Sequence, residues 1–142
     1  MSRKDEQLVW DAIKRHSLRR KIKLWRVENL HGDGMSDVYG INRFGTSFWM
    51  ELKSLDEWPR RDGTCPLKGI FEPGQLGFMR SINSWGGHAY VVVRVGLHDW
   101  RFVRAVLGLP DPDELDAAAL LERSVSDSLD DFLFMLEEME GV

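Results

Sequence analysis

The chain has 142 residues, of which 43% are hydrophobic and 30% charged, and this length and composition indicate one globular domain with a single core. No apolar run approaches the roughly 20 residues that cross a bilayer, and the polar N-terminus lacks the apolar segment of a secretory signal. The single cysteine, Cys65, excludes an intramolecular disulfide and a cysteine-cluster zinc site, so we expect a protein of the reducing cytoplasm.

The net charge of −4 is distributed unevenly along the chain. Residues 1–109 carry 18 Lys and Arg against 12 Asp and Glu, a net charge of +6, whereas residues 110–142 carry one Arg against 11 acids, a net charge of −10. We therefore divide the chain into a basic domain, 1–109, and an acidic tail, 110–142. A polyanion such as DNA would be attracted to the basic domain, with an affinity that falls steeply as salt rises.

The pattern of apolar residues predicts a mixed α/β (α+β) domain with elements in the order α-β-β-β-α-β. The expected helices run from Asp5 to His16 and from about Pro73 to Trp85. The expected strands and loops are Ile22 to Glu28, a loop Asn29 to Met35, Val38 to Ile41, the strand GTSFWMELKS, a long loop Ser54 to Gly74, Ala89 to Val95 and Trp100 to Val106. Because a helix links two of these strands, we expect a mixed sheet flanked by helices.

The strand GTSFWMELKS alternates between two faces of the sheet. Phe48, Met50 and Leu52 point to one face and can enter the core. Glu51 and Lys53 point to the other face, so an acid and a base lie side by side. The alternative is an ordinary surface ion pair of these two residues on an edge strand.

Asp37 stands just before the partner strand of a predicted hairpin, whose turn is Asn42 to Gly45. Because antiparallel pairing reverses the residue order, Asp37 can lie opposite Glu51. Two facing carboxylates need a counter-ion, and hard oxygen ligands favour Mg²⁺ or Mn²⁺. We therefore expect a divalent cation on Asp37, Glu51 and the carbonyl oxygen of Leu52, where it would lower the pKa of a water that attacks a phosphodiester. Lys53 would hold that water or oppose charge in the transition state.

Four segments between about Glu6 and Val95 carry a resemblance to a known family: EQLVWDAI, ENLHGDGMSDVYG, FWMELKS and EPGQLGFMRSINSWGGHAYVVV. They resemble the PD-(D/E)xK nuclease superfamily and, within it, the VRR-NUC family of small phage and bacterial nucleases. The resemblance implies a restriction-endonuclease-like core with Asp37 and Glu51 as metal ligands and Lys53 as the residue that orients or activates the attacking water. The chain departs from the family before the aspartate, where Ser36 stands in place of the usual proline.

The same resemblance implies catalytic roles for Glu6 in the first helix and Gln75 at the start of the second. Glu6 shares a side of its helix with Val9 and Ile13, so its carboxylate can reach the rim of the buried face. The alternative for Glu6 is a first-turn acid that the helix dipole favours. Gln75 could hydrogen-bond the water or a phosphate oxygen, or could be only a polar residue at a helix start.

Exposed basic residues in two segments are the candidates for contact with DNA phosphates. The alternative is that they form solvated faces without a ligand. Trp58, in the second of these segments, could stack on an unpaired base or could simply close its loop onto the domain. The seven candidates are Arg19, Arg20, Lys21 and Lys23 after the first helix, and Arg60, Arg61 and Lys68 in the long loop.

The acidic tail is expected to form two short helices, Asp111 to Arg123 and Asp127 to Glu140. These helices could cover the domain or a partner subunit, could fold over the basic surface and compete with DNA, or could dock another protein. The residues available for packing are Leu115, Leu120, Leu121, Phe132, Leu133, Leu136 and Met139.

Together these features predict a Mg²⁺-dependent DNA endonuclease of the VRR-NUC type, in the cytoplasm of a bacterium or a phage-infected cell. Stand-alone members of the family resemble Holliday junction resolvases, which implies a branched DNA substrate and a homodimer. The alternatives are a nuclease for flap, single-stranded or duplex DNA in repair or defence, and a non-catalytic DNA-binding or regulatory module that keeps the fold.

Overall fold

A computed structural model describes residues 3–27 and 34–141. The predicted order α-β-β-β-α-β is observed, and the strand expected at Trp100 to Val106 follows it as the fifth strand. Glu28 and most of the predicted loop Asn29 to Met35 lie outside the described residues. The elements are α1 (Arg3–Ser17), β1 (Ile22–Arg26), β2 (Val38–Asn42), β3 (Ser47–Leu55), α2 (Gln75–Ser84), β4 (Ala89–Val95), β5 (Asp99–Val103), a single 3₁₀ turn (Pro112–Glu114), α3 (Ala117–Arg123) and α4 (Leu129–Glu138).

The five strands form one sheet in the order β1-β2-β3-β4-β5. Neighbouring strands are antiparallel except for β3 and β4, which are parallel. A parallel pair needs a crossover connection, and α2 lies between β3 and β4 in the chain and supplies it. The predicted mixed sheet flanked by helices is therefore confirmed.

Each face of the sheet has its own apolar core, so the expectation of a single core was wrong. The face that we call the closed face is covered by α1 and α4, and its core includes Phe48, Met50 and Leu52 of β3, as their alternation predicted. The face that we call the second face is covered by α2 and α3 over the later strands, where Val91 and Val93 of β4 are fully buried. The run Tyr90 to Val93 of β4 is apolar on both faces because helices cover the sheet on both sides.

Most predicted limits differ from the observed ones by one or two residues, and those of two elements differ by more. The last strand was expected to reach Val106 but ends at Val103, because side chains bind the main chain beyond it: Arg123 donates to the carbonyl of Arg104, and Asn83 to the carbonyl of Ala105. The first tail helix was expected over residues 111–123, but Leu115 has an extended backbone and divides it into the 3₁₀ turn and α3.

The tail packs against the sheet with most of the residues that its pattern predicted. Leu115 and Leu120 are buried in the core of the second face, and Phe132, Leu133 and Leu136 in the core of the closed face. The expectation for Leu121 was wrong, because its side chain is 42% exposed. Both cores of the sheet therefore include side chains from residues 110–142.

A buried asparagine joins the β2–β3 turn to the end of α4. The Nδ2 atom of Asn42 donates to the carbonyl oxygens of Leu136, at 2.8 Å, and Met139, at 2.6 Å. Its Oδ1 atom accepts from the amides of Phe44 and Thr46, at 2.9 and 3.1 Å. These four bonds use both N–H donors and both lone pairs of the side-chain amide. They fix the turn that was predicted at Asn42 to Gly45.

Across the described ranges, none of the helices combines the length and the apolar character that a membrane span requires.

Candidate active site

The site begins on β3, whose alternation places Glu51 and Lys53 on the second face. Neither side chain is a surface residue: Glu51 is 1% exposed and Lys53 is 4% exposed. Lys53 Nζ lies 3.2 Å from Glu51 Oε2. β3 is the central strand of five, and both ionisable groups are buried. The alternative of an ordinary surface ion pair on an edge strand is therefore wrong.

Asp37 is held where β2 and β3 begin to separate. The ladder between these strands runs to the pair Val38 and Met50, so the next position sets Asp37 opposite Glu51. The amide of Leu52 donates to Asp37 Oδ2 at 2.8 Å, and the amide of Val27 donates to the carbonyl oxygen of Asp37 at 2.8 Å. Because both neighbouring strands bind Asp37, its carboxylate has a fixed position beside that of Glu51.

The two facing carboxyl groups strongly perturb Glu51. Burial, followed by the negative charge of Asp37, raises the pKa of Glu51 to about 9, although the Lys53 ammonium acts in the opposite direction. Among the described residues no group hydrogen-bonds the buried Oε1 atom of Glu51. A buried carboxylate oxygen without a partner, next to a second carboxylate, is a position that a cation would stabilise.

Lys53 has three hydrogen-bond acceptors around its ammonium group. Besides Glu51, they are the carbonyl oxygen of Ile70 at 3.0 Å and Oε1 of Gln75 at 3.1 Å. An ammonium has three N–H donors, so these partners use all of them. Gln75, the first residue of α2, is itself held by the amide of Glu72 at 2.9 Å. The structure thus brings Gln75 into contact with Lys53.

Glu6 joins the site from α1. Burial, with the nearby Asp37 carboxylate, raises the pKa of Glu6, and Asp37 also hydrogen-bonds it. Arg26, which ends β1 and was not predicted as a site residue, makes an ion pair with Glu6. The pairing of Arg26 with Val38 across the strands sets it beside Asp37, and this register could not be read from β1 alone. All five predicted catalytic residues therefore lie in one cluster.

The predicted DNA-binding residues differ in their surroundings. Six of them are exposed, and only Arg20 is partly buried, because it pairs with Glu137 of α4 at 3.4 Å. Trp58 is partly buried and donates to Asp99 at 2.7 Å, so its indole closes the long loop onto the domain. The exposed candidates are Arg19, Lys21, Lys23, Arg60, Arg61 and Lys68.

A second acidic group lies in the tail, around the 3₁₀ turn. Within the described residues, Asp111, Asp113 and Glu114 offer carboxylate oxygens that lie within 4.8 Å of one another. Arg80 already neutralises part of this charge, at 2.5 Å from Asp111. The pattern of the tail did not single out this group, because acids are frequent throughout residues 110–142.

No protein-family model and no curated protein sequence matches the chain. Among solved structures, the chain is similar to a Holliday junction resolvase from the archaeal hyperthermophile Archaeoglobus fulgidus, with a TM-score of 0.57 and 13% sequence identity. The match covers 93% of this chain and 99% of the resolvase chain.

The matched fold defines the class to which this domain belongs. It is a mixed sheet flanked by helices with a restriction-endonuclease-like fold, and the prediction of fold class is confirmed. Membership of the VRR-NUC family stays a prediction, because an identity of 13% shows the fold alone.

Proposed function

We propose that this protein is a Mg²⁺-dependent DNA endonuclease of the VRR-NUC type that hydrolyses phosphodiester bonds in branched DNA. The observation that carries the proposal is the pair of facing carboxyl groups of Asp37 and Glu51 beside the buried Lys53. Such a cluster is costly to bury and has no evident use in stability, whereas it suits an enzyme that must hold a cation and a water near an anionic substrate.

The donor set fits Mg²⁺ or Mn²⁺. Carboxylate oxygens are the hard ligands that these ions prefer, and the unpartnered Oε1 of Glu51 is available to accept one. Asp37 and Glu51 would hold the ion, together with the carbonyl oxygen of Leu52. When bound, the ion supplies positive charge that offsets the repulsion between the carboxylates and promotes ionisation of a water.

Lys53 would hold the attacking water. All three N–H groups of its ammonium are engaged, so Lys53 can donate to a water only when one of its acceptors is given up. Gln75 would then keep the amine in place, and it could itself donate through its amide nitrogen to the water or to a phosphate oxygen. Glu6, fixed by Arg26, would add negative charge at the edge of the site and hold a water or cation there.

DNA would bind the exposed lysines and arginines Arg19, Lys21, Lys23, Arg60, Arg61 and Lys68, with Arg20 contributing if it leaves Glu137. Their attraction to phosphate would weaken with salt. A homodimer would let two opposed strands of a branched substrate be cut together. The fold shared with a Holliday junction resolvase supports branched DNA as the substrate class to test first.

The direct test is to incubate the protein with labelled Holliday junction, flap, single-stranded and blunt duplex DNA, with and without Mg²⁺. We expect Mg²⁺-dependent nicking, strongest on the junction. Lys53→Ala and Asp37→Asn should each reduce nicking by about a hundredfold or more while the fold is kept. Asp56→Asn, an exposed aspartate just beyond β3, is the matched control and should nick normally.

Near-normal nicking by Lys53→Ala or Asp37→Asn, with the fold verified by circular dichroism, would rule out the proposed roles. Preference for a flap, single strand or duplex would retain the nuclease and replace the substrate. Failure of the wild type to nick any of these DNAs with Mg²⁺ or Mn²⁺ would instead indicate a DNA-binding module that keeps the fold without the activity.

A further inference from the structure

A row of aromatic side chains crosses the first three strands on the second face of the sheet. Trp25 of β1 pairs with Tyr39 of β2, and Tyr39 pairs with Trp49 of β3, so the three side chains lie on one face. The ring centroids are 5.8 Å apart for the first pair and 5.0 Å for the second. Phe78 of α2 ends the row. Its ring lies edge-on to Trp49, with the ring centroids 5.1 Å apart.

The β1 end of this aromatic row is open to solvent. Trp25 is 46% exposed, and Tyr39 and Trp49 are partly exposed. On the closed face the same strands instead contribute Leu24 and Phe48 to the core. Large aromatic rings in a half-exposed row are a feature that stability alone does not require, since their burial is incomplete.

The aromatic row runs directly beside the candidate catalytic cluster. Trp49 precedes Glu51 by two residues on β3, so this ring and this carboxyl group project from the same face, and Tyr39, which pairs with Trp49, follows Asp37 by two residues. Two residues along a strand span about 7 Å. A strand of nucleic acid with its phosphate at the carboxylates would therefore have its neighbouring bases at the rings.

The charge next to the row is positive. Lys23 lies on the same face as Trp25, with its Nζ atom 6.0 Å from the centre of the indole, and it is exposed. Lys21, two residues earlier, is also exposed. Aromatic faces for bases together with lysines for phosphates are the combination that holds single-stranded nucleic acid.

We propose that the row of Trp25, Tyr39 and Trp49 is a stacking surface for unpaired nucleotides that adjoin the bond to be cut. This inference rests on the nuclease function proposed above and defines its substrate more closely: the DNA must present unpaired bases next to the scissile phosphate. Such bases occur where strands part at a branch, and they are absent from an uninterrupted duplex.

A second copy of this chain is the other occupant that the face could have. A stable interface buries about 800 Å² on each partner. Three aromatic side chains of about 200 Å² each, all partly covered, expose together only about 200 to 300 Å². Lys21 and Lys23 would also meet their own copies or neighbours of like charge in a symmetric contact. Area and charge therefore favour the nucleic acid.

The test measures binding separately from cleavage, with EDTA present so that no DNA is cut. The probe is a short labelled oligothymidylate, compared with a blunt duplex, and affinity is measured by fluorescence anisotropy. Trp25→Ala should weaken binding of the single strand by about five- to 150-fold, the range expected for loss of one base-stacking contact, and should leave duplex affinity unchanged. Trp25→Phe should restore most of the affinity.

Two further variants complete the design. Trp25→Leu keeps an apolar side chain for folding but offers no aromatic face, and it should lose single-strand affinity as Trp25→Ala does. Trp85→Ala is the matched control, because Trp85 is 89% exposed at the end of α2 and is not in the row. It should bind both DNAs as the wild type does.

Unchanged single-strand affinity in folded Trp25→Ala or Trp25→Leu would overturn the stacking surface. So would sedimentation data in which Trp25→Ala converts a dimer to a monomer and both DNAs are bound equally less tightly, because the face would then join two copies. The nicking assay remains independent: loss of stacking with intact Mg²⁺-dependent nicking refutes only this inference. A wild type that binds single strands through Trp25 but nicks nothing refutes only the nuclease proposal.

Discussion

The closed face and the second face of the sheet differ in what the single strand β3 buries on each. Toward the closed face it buries Phe48, Met50 and Leu52, which are fully buried beneath α1 and α4. Toward the second face it buries Glu51 and Lys53 instead. Burial of an ionisable pair costs several kcal/mol, and three buried apolar side chains each contribute about 1.5 to 3 kcal/mol. The closed face thus offsets the cost of the site.

The largest loss of stability should come from the closed face, where α4 of the tail packs on the sheet. Phe132 of α4 stacks on Phe102 with centroids 4.0 Å apart, and it meets Tyr90 edge-on at 5.2 Å. Phe132→Ala should lower the free energy of unfolding by about 3 to 5 kcal/mol, measured by urea denaturation. Phe134→Ala, two residues along and 52% exposed, should cost less than about 1 kcal/mol. Equal costs would show that α4 is not part of the core.

The ionisable groups buried on the second face should make the stability of the protein depend on pH. Unfolded, Glu51 releases its proton near the ordinary pKa of 4.5, whereas in the folded protein its pKa is about 9. Between these values the unfolded state binds fewer protons, so the stability of the metal-free protein should fall as pH rises through that window. The raised pKa of Glu6 adds to the fall in the same direction.

Thermal unfolding in EDTA at about pH 5.5 and pH 8.5 tests this dependence. Glu51→Gln removes the ionisation and should flatten the decrease, whereas the exposed Glu57→Gln should keep it. Addition of Mg²⁺ at the higher pH should raise the melting temperature of the wild type and not of Glu51→Gln, because a bound cation replaces the proton. A pH profile shared by the wild type and Glu51→Gln would contradict the assignment.

A single glycine limits how closely the closed face can pack. A Cβ at Gly40 of β2 would come 2.3 to 2.4 Å from the ring of Phe48 and 2.8 Å from Leu24. Gly40→Ala should therefore lower stability by about 1 to 3 kcal/mol in denaturant unfolding. Gly77→Ala in α2 is the matched control, since its nearest contact would be Arg80 at 3.6 Å, and it should raise stability by about 0.5 to 1 kcal/mol. The same sign for both would refute the packing argument.

The smallest change in stability is expected for the surface ion pair that joins the tail to the basic domain. Arg43 pairs with Glu138 at 2.9 Å, and both side chains are 39% exposed. Glu138→Gln should change stability by less than about 1 kcal/mol. One alternative for the tail is that it competes with DNA phosphates for the arginines of the basic domain. In that case Glu138→Gln should bind DNA slightly more tightly at low salt. An unchanged affinity would count against competition at Arg43.

The sequence was sufficient for the parts of the fold that local pattern determines. The alternation in β3 and the reversal of order in the β2–β3 hairpin were enough to predict that Asp37 would meet Glu51. The strand Ala89–Val95 was predicted with its observed ends, because the apolar run Tyr90 to Val93 lies between Gly86-Gly87 on one side and Gly96 on the other. These features depend on residues close together in the chain.

Features that depend on distant residues were not predicted. The early end of β5 results from Arg123 and Asn83, which lie outside the strand. The ion pair of Glu6 with Arg26 and the aromatic row through Trp25 both follow from the register of β1 on β2, and no pattern within β1 specifies that register. The deep burial of Glu51 and Lys53 required knowledge of α2 and of the loop before it.

The buried amide of Asn42 also limits how the acidic tail can behave. Release of α4 from the sheet would leave the main-chain carbonyl groups of Leu136 and Met139 without the partner that this side chain supplies, and it would expose the aromatic cluster around Phe132 to water. These contacts hold the tail in a fixed position against the sheet. Whatever influence its negative charge has on an approaching polyanion is permanent, and individual side chains can adjust it only by exchanging ion-pair partners at the rim.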